Sequence, residues 1–447
     1  MPRRTDWDTA ALIAADKRHV WHPFTSMAQW CAPEHEPLVL VEGRGALLWD
    51  SEGREYIDGN SSIWTNIHGH NHPHINAAIR EQLERVAHTS FLGFTNPAAI
   101  RLAEAVVKLW PANTLSRVFF SDDGSTGIEA ALRITEQFWR LTGDPRPDFV
   151  AFREGYHGDT AGAASLGASA MFGGQPPTGW RFPARSVANL EELEALSATD
   201  SGRVAAVVIE PLIQGAAGMK LWPAGMLTAL SKWCDRTGAL LIADEVMTGF
   251  GRTGKMFACQ HEQVVPDIIV FGKALTGGYL PLALTVISEK IFAPFANNST
   301  ASGTLFYGHS YSGNALGCAA ALASLEIFEQ ENLLTSLAGK ISLLETELAT
   351  LRQLNEVGEI RQCGFIAGIQ LDPAAFSDQP ALKAGQIGAE VCRIARRFGL
   401  LTRPIRDVVV LMPPFCITDE QLKHAVAAIR SAILELAQAG STTAASI

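Results

Sequence analysis

Two short apolar runs near the middle of the chain, Leu240-Leu241-Ile242-Ala243 and Ile268-Ile269-Val270-Phe271, constrain the fold more than any other feature. Each is bounded by turn signals, and neither alternates with polar residues. That is the pattern of parallel strands covered on both faces, and so of an α/β fold. Each run also leads to an ionisable residue, Asp244 after the first and Lys273 after the second. Ligands of open α/β sheets sit beyond the carboxyl ends of the strands. An acid and an amine are therefore expected at one ligand-facing edge.

Such a pair suits pyridoxal 5'-phosphate. The amine can join the cofactor's aldehyde, and the carboxylate keeps the pyridine nitrogen protonated so that the ring absorbs electrons. Other readings compete. Gly249-Phe250-Gly251-Arg252-Thr253-Gly254 is a G-x-G-x-x-G, and with Lys255 it approaches a phosphate loop. Met256, however, stands where a magnesium-binding Ser or Thr is required. Asp244 and Glu245 just upstream would also repel a pyrophosphate. The plainest alternative makes Asp244 a turn cap and Lys273 a solvated lysine.

The 447 residues suffice for two or three domains, and a net charge of −10 without a basic cluster argues against nucleic acid. Seven cysteines without C-x-x-C spacing fit reduced thiols and a cytoplasmic setting. Asp6 and Asp8 follow Arg3 and Arg4 without an apolar stretch, so no signal peptide is expected. No run of eighteen apolar residues is present, so no membrane span is expected either.

Along the chain, a helix is expected over 7–20, then strands over 38–42 and 46–49. His68, His70, His72 and His74 crowd a loop before a helix over 75–86; with no cysteine among them they are read as loop residues, and no metal is expected. Val118-Phe119-Phe120 leads through Ser121-Asp122-Asp123-Gly124-Ser125-Thr126 into a helix expected over 127–141, a strand–turn–helix start that favours an anion. Tyr156 follows the strand 149–152 and is placed to stack on a flat ring. A Gly- and Pro-rich loop, Ser169–Ser186, is expected to wall the site, and Glu210 is a third carboxylate at a strand end. A helix over 226–237 closes at Gly238, and Asp419 is expected to cap the last long helix. Three units result: an N-terminal segment over 1–70, a large domain over 71–315 and a small α/β domain over 316–447.

Asp244-Glu245-Val246 with Thr248–Lys255, and Gly272-Lys273-Ala274-Leu275-Thr276-Gly277-Gly278, resemble the signature of class III PLP-dependent aminotransferases. Trp21-His22-Pro23-Phe24-Thr25, Ile67-His68-Gly69-His70, Gly155–Thr160, Gln214-Gly215-Ala216 and Leu401-Thr402-Arg403-Pro404 resemble the branch that aminates 8-amino-7-oxononanoate in biotin biosynthesis. The resemblance implies the fold type I of PLP enzymes, a large domain with a mostly parallel sheet and a smaller domain built from both chain ends. It implies that Lys273 carries PLP and moves the proton, that Asp244 pairs with the pyridinium, and that Tyr156 and Val246 lie on the two ring faces. Gly124 and Ser125 would hold the phosphate, with Ser310 lent by the neighbouring subunit of a homodimer with shared sites. Trp64, Phe24, Gly308, Tyr156 and Arg403 would line the substrate pocket, Arg403 receiving the carboxylate of the oxononanoate.

The resemblance leaves the amino donor open between S-adenosylmethionine and lysine. Phe24 and Ile63 stand where users of S-adenosylmethionine commonly carry Tyr and Trp, which leans toward a donor other than the adenosyl compound. The nearest rival is an ω-amino acid or amine:pyruvate transaminase of the same class. Asp123, where the family often has Ser, must point away from a bound phosphate.

Overall fold

The computed structural model describes residues 7–167, 184–378 and 384–444. Its centre is a seven-stranded sheet in the spatial order Leu115–Ser121, Ala283–Ser288, Ile268–Phe271, Leu240–Asp244, Val204–Ile209, Asp148–Phe152, Ala184–Val187. Ala283–Ser288 runs against both its neighbours, and the pairs from Ile268–Phe271 outward to Ala184–Val187 are parallel. The two apolar runs read from the sequence are adjacent, with Asp244 beside Val270 in register.

Alternate residues of a strand point to opposite faces, and here both faces are apolar. Leu241, Ala243, Ile269 and Phe271 pack with Leu102, Leu230 and Trp233 of the helices Pro97–Val107 and Met226–Thr237. Leu240, Ile242, Ile268 and Val270 pack with Ile128 and Phe138 of the helix Gly124–Leu141. Burial on both sides explains the unbroken hydrophobic runs. Met226–Thr237 ends as expected at Gly238, whose φ of 74° lets its N–H reach back to Cys234 O.

The two chain ends share a sheet. Leu40–Arg44, Leu47–Asp50 and Glu55–Asp58 form an antiparallel ladder, and Leu400–Leu401 adds to it parallel to Glu55–Asp58. A further sheet of Val357–Cys363, Ile366–Leu371, Val408–Leu411 and Pro404–Ile405 lies in the C-terminal part. The helix Ala315–Gln330 packs on Pro73–Arg85 and Pro97–Val107 and touches Lys273–Thr276.

Other expectations shift locally. The first helix is Thr9–His19, capped by Asp8, and the first strands begin one or two residues late. The last helix is capped by Thr418 rather than Asp419: Thr418 Oγ1 accepts from Gln421 N at 3.2 Å, and Thr418 N donates to the Gln421 side chain at 2.9 Å. Of the expected loop 169–186, residues 169–183 lie outside the described residues, and 184–186 open the strand Ala184–Val187.

Candidate active site

The carboxyl ends of the parallel strands open on one cavity of about 640 Å³, a size suited to a small cofactor with substrate. Asp244, Lys273, Tyr156, Gly124, Ser125, Val246 and Trp64 all line it, together with His157 and Glu210. Ala243 is in register with Ile209, so Asp244 and Glu210 leave neighbouring strands side by side.

Asp244 is buried and held at both oxygens. Oδ2 lies 2.7 Å from His157 Nδ1, and Oδ1 accepts from Val246 N at 3.1 Å. Burial alone would lower the His157 pKa, but Asp244 and Glu210 outweigh it and the imidazole sits above its ordinary value. Glu210 accepts from Tyr156 N at 3.1 Å and from Gly215 N at 2.9 Å. Its burial, with Asp244 nearby, pushes its pKa up to about 7 although His157 pulls the other way.

Lys273 follows Gly272 directly and has a φ of 38°, a value L-residues rarely adopt. Burial lowers its amine's pKa; Arg403 and Arg252 add to this, and Asp244 and Glu210 oppose it. Trp64 lies over the amine, its ring centroid 4.6 Å from Nζ.

Opposite these groups the helix Gly124–Leu141 begins. Asp123 is its cap: its carboxylate accepts from Thr126 N at 2.9 Å while Asp123 N donates to Thr126 Oγ1. The acid caps the helix, yet Asp123 also lines the cavity beside Asp122, and its charge is felt at Tyr156. Asp123 O takes the N–H of Gly127, leaving those of Gly124 and Ser125 as the orphan donors of the first turn. Ser125 Oγ accepts from Asp159 N and Thr160 N at 2.9 Å each, so that residue offers an anion its N–H rather than its hydroxyl. Gly124 is required sterically, since a Cβ there would lie 2.6 Å from Val246 Cγ1.

Tyr156 donates its hydroxyl to Asp159 Oδ2 at 2.7 Å, and burial raises its pKa. Arg403 is not among the cavity lining, yet its charge is felt at Lys273 and Tyr156. Among the described residues it has no carboxylate partner. Phe24, Gly308 and Ser310 do not line the cavity of this chain, and all three are exposed.

The G-x-G-x-x-G run leads into turns and the 3-10 helix Ala258–His261, so it offers no α-helix start to a phosphate. Its Arg252 is fully buried and donates to Pro413 O at 2.8 Å. Glu245 is buried as well, accepting from Ala258 N, Cys259 N and Thr248 Oγ1, and so shapes the loop after Asp244. The histidines of 68–74 go to separate partners: His68 to Ser324, His70 to Asp58, His74 to Glu326.

Two members of the cluster received no role from the sequence. His157 stands inside Gly-Tyr-His-Gly and is 87 residues from Asp244, so only folding pairs them. Glu210 carried a signal, as a carboxylate ending an apolar strand, but no partner could be read for it.

The family model for class III aminotransferases matches residues 30–433. The chain is 42% identical to a protein of Geobacter sulfurreducens named adenosylmethionine-8-amino-7-oxononanoate aminotransferase, over 96% of this chain and 98% of that one. A crystal structure of the Methanocaldococcus jannaschii protein of that name superposes with a TM-score of 0.90 at 38% identity, covering 96% of this chain and 99% of the other. An amine transaminase from an uncultivated Pseudomonas species, solved in its PLP-bound form, superposes with a TM-score of 0.84 at 32% identity over 93% and 98% of the two chains. With a lysine and an aspartate meeting at the sheet edge and this likeness over nearly its whole length, the chain belongs to the class III aminotransferases.

Proposed function

We propose that this enzyme transfers an amino group to the 7-oxo carbon of 8-amino-7-oxononanoate, yielding 7,8-diaminononanoate for biotin synthesis, with pyridoxal 5'-phosphate in the cavity. The observation that carries the reading is Lys273 and Asp244 facing one cavity opposite a helix start with free N–H donors. Bound there, the cofactor supplies an electrophilic aldehyde and an electron sink.

The residues fit that group. A lysine whose pKa is lowered by burial is a competent nucleophile and proton carrier at Nζ. Asp244, oriented by His157 and Val246 N, would hold a proton on a ring nitrogen. Tyr156 and Val246 would take the two ring faces, and the N–H groups of Gly124 and Ser125 the phosphate. Arg403 has no ionic partner among the described residues and suits the carboxylate of the oxononanoate. Trp64 would close the substrate side.

S-adenosylmethionine is the proposed donor, because relatives 42% identical over nearly the whole chain carry it in their names. The lean toward a different donor rested partly on Phe24, which lies outside this chain's cavity. We also read the enzyme as a cytoplasmic homodimer. Trp21, Phe24, Phe94 and Phe306 are more than 60% exposed, an apolar surface a second copy would cover. That copy would bring Ser310 and Gly308 to the partner's site. Among the described residues, no helix is long and apolar enough to cross a membrane.

The test offers purified protein the oxononanoate with S-adenosylmethionine or with lysine and measures diaminononanoate. Product is expected with S-adenosylmethionine, in ping-pong kinetics, and none from Lys273→Ala protein. Turnover of simple amines with pyruvate, and none of the oxononanoate, would favour the amine transaminase reading instead.

A further inference from the structure

The backbone leading into Trp64 is strained. Ser61, Ser62 and Trp64 have φ values of 45°, 59° and 67°, and Ser62, with ψ of −81°, lies outside the left-handed helical region as well; sparsely populated conformations cost about 1–3 kcal/mol each. Such a segment persists only where its surroundings over-determine it, and here they do. The buried Asp58 accepts from Asn60 N at 3.2 Å, from Ser62 N at 2.8 Å, and pairs with His70 Nε2 at 2.8 Å. Ser61 Oγ donates to Met412 O at 2.8 Å, tying the turn to the C-terminal part of the chain. Asn60 Oδ1 accepts from Trp64 Nε1 at 2.9 Å. The outcome is an indole only 7% exposed, packed on Ile213, Met247 and Met412, with its ring 4.6 Å from Lys273 Nζ.

We propose that Asn60 is a positioning residue for Lys273: by accepting the indole N–H it fixes the Trp64 ring against Nζ, and the ring then favours the cationic form of that nitrogen. The inference rests on Lys273 being the cofactor lysine of the proposed function. An aromatic ring attracts a cation through its quadrupole, more strongly where water is excluded. The other charges acting on Nζ are Asp244 and Glu210 from the strand ends, Arg403 from the C-terminal part and Arg252 from the turn after Asp244, with His157 behind Asp244. Among the described residues none of these groups hydrogen-bonds to Asn60 or to the indole N–H, whose partners are Asp58, Ser62 and each other. Asn60→Leu keeps the branched shape and removes the acceptor, together with the Nδ2 donation to Ser62 O at 3.3 Å.

The experiment titrates the visible absorbance of the cofactor-loaded protein with pH and reads the midpoint at which the Lys273-bound chromophore changes protonation state. In Asn60→Leu the midpoint is expected about half a unit to one unit lower than in the parent. Trp64→Leu should shift it in the same direction, and adding Asn60→Leu to Trp64→Leu should shift it no further. An unchanged midpoint in Asn60→Leu, at full cofactor content and with an unaltered circular dichroism spectrum, overturns the proposal. So does a shift that persists in the Trp64→Leu background. Should Asn60→Leu not fold, Trp64→Phe removes the donor from the other side, and an unchanged midpoint there is equally decisive. A parent protein with no visible band defeats the proposed function itself, whereas an intact band with an unmoved midpoint defeats only this inference.

Discussion

His157 Nδ1 stands 2.7 Å from Asp244 Oδ2, with 1% and 5% of the two side chains exposed. The pair aims the acid from behind, leaving its cavity side to a ligand. Removing one partner of a buried ion pair strands the other, at a typical cost of about 3–5 kcal/mol. His157→Leu is therefore expected to unfold at markedly lower urea, with weakened cofactor retention. Because the folded imidazole holds its proton above the ordinary value, its stabilisation is full below about pH 6.5 and is lost as pH rises through the folded value. Urea midpoints from pH 6 to 9 should show that decline in the parent and lose it in His157→Leu.

Glu210 predicts a second limb at lower pH. Its folded pKa of about 7 exceeds the ordinary 4.5, so the folded chain keeps a proton that the unfolded chain releases. Its contribution is full below about pH 4.5 and fades up to about pH 7, by about 3 kcal/mol. Glu210→Gln cannot ionise, and its urea midpoint should be flatter over that range. An equally steep profile in the variant would show that another group is responsible.

Gly124→Ala places a methyl 2.6 Å from Val246 Cγ1. Overpacking of this kind costs about 1–3 kcal/mol, and here it would also push apart the helix start and the residue after Asp244–Glu245. Weaker PLP binding, measured by absorbance after dialysis, is the expected result. Val246→Ala in the same chain should recover part of the loss by clearing the space, though not the contact Val246 itself would make with the ring.

Arg403 is predicted to act on binding of the oxononanoate. A hydrogen bond to a charged group contributes about 1.5–3 kcal/mol, so Arg403→Met should raise KM for the oxononanoate roughly tenfold to a hundredfold. Arg403→Lys keeps the charge but not the two-pronged geometry and should fall between. Cofactor content should be the same in both variants as in the parent, although loss of the Arg403 charge should move the pH midpoint of the visible band upward in Arg403→Met. Loss of the cofactor instead would place Arg403 in the fold rather than the pocket.

Much of this was legible from local signals. Leu240–Asp244 and Ile268–Phe271 announced themselves because a doubly covered strand must be apolar at every position. Met226–Thr237 ended where Gly238 supplies a left-handed residue. A helix after this turn was legible too, though it begins at Gly124 rather than at the expected 127, and Asp123's role as its cap through Thr126 was not. The antiparallel Ala283–Ser288 was missed, since an apolar run carries no mark of its direction. Thr418 displaced Asp419 as a cap because both residue types serve, and only geometry chooses between them.

The sequence by itself determined the central parallel strands, which ionisable residues stand at their ends, and which family the chain resembles, because each depends on neighbours a few positions away. Tertiary structure alone decided that His157 backs Asp244, that Asn60 sets Trp64 over Lys273, and that Phe24, Gly308 and Ser310 stay out of this chain's own cavity. The reason is physical: ion pairing, ring contacts and burial act between groups close in space, and distance along the chain does not encode that closeness.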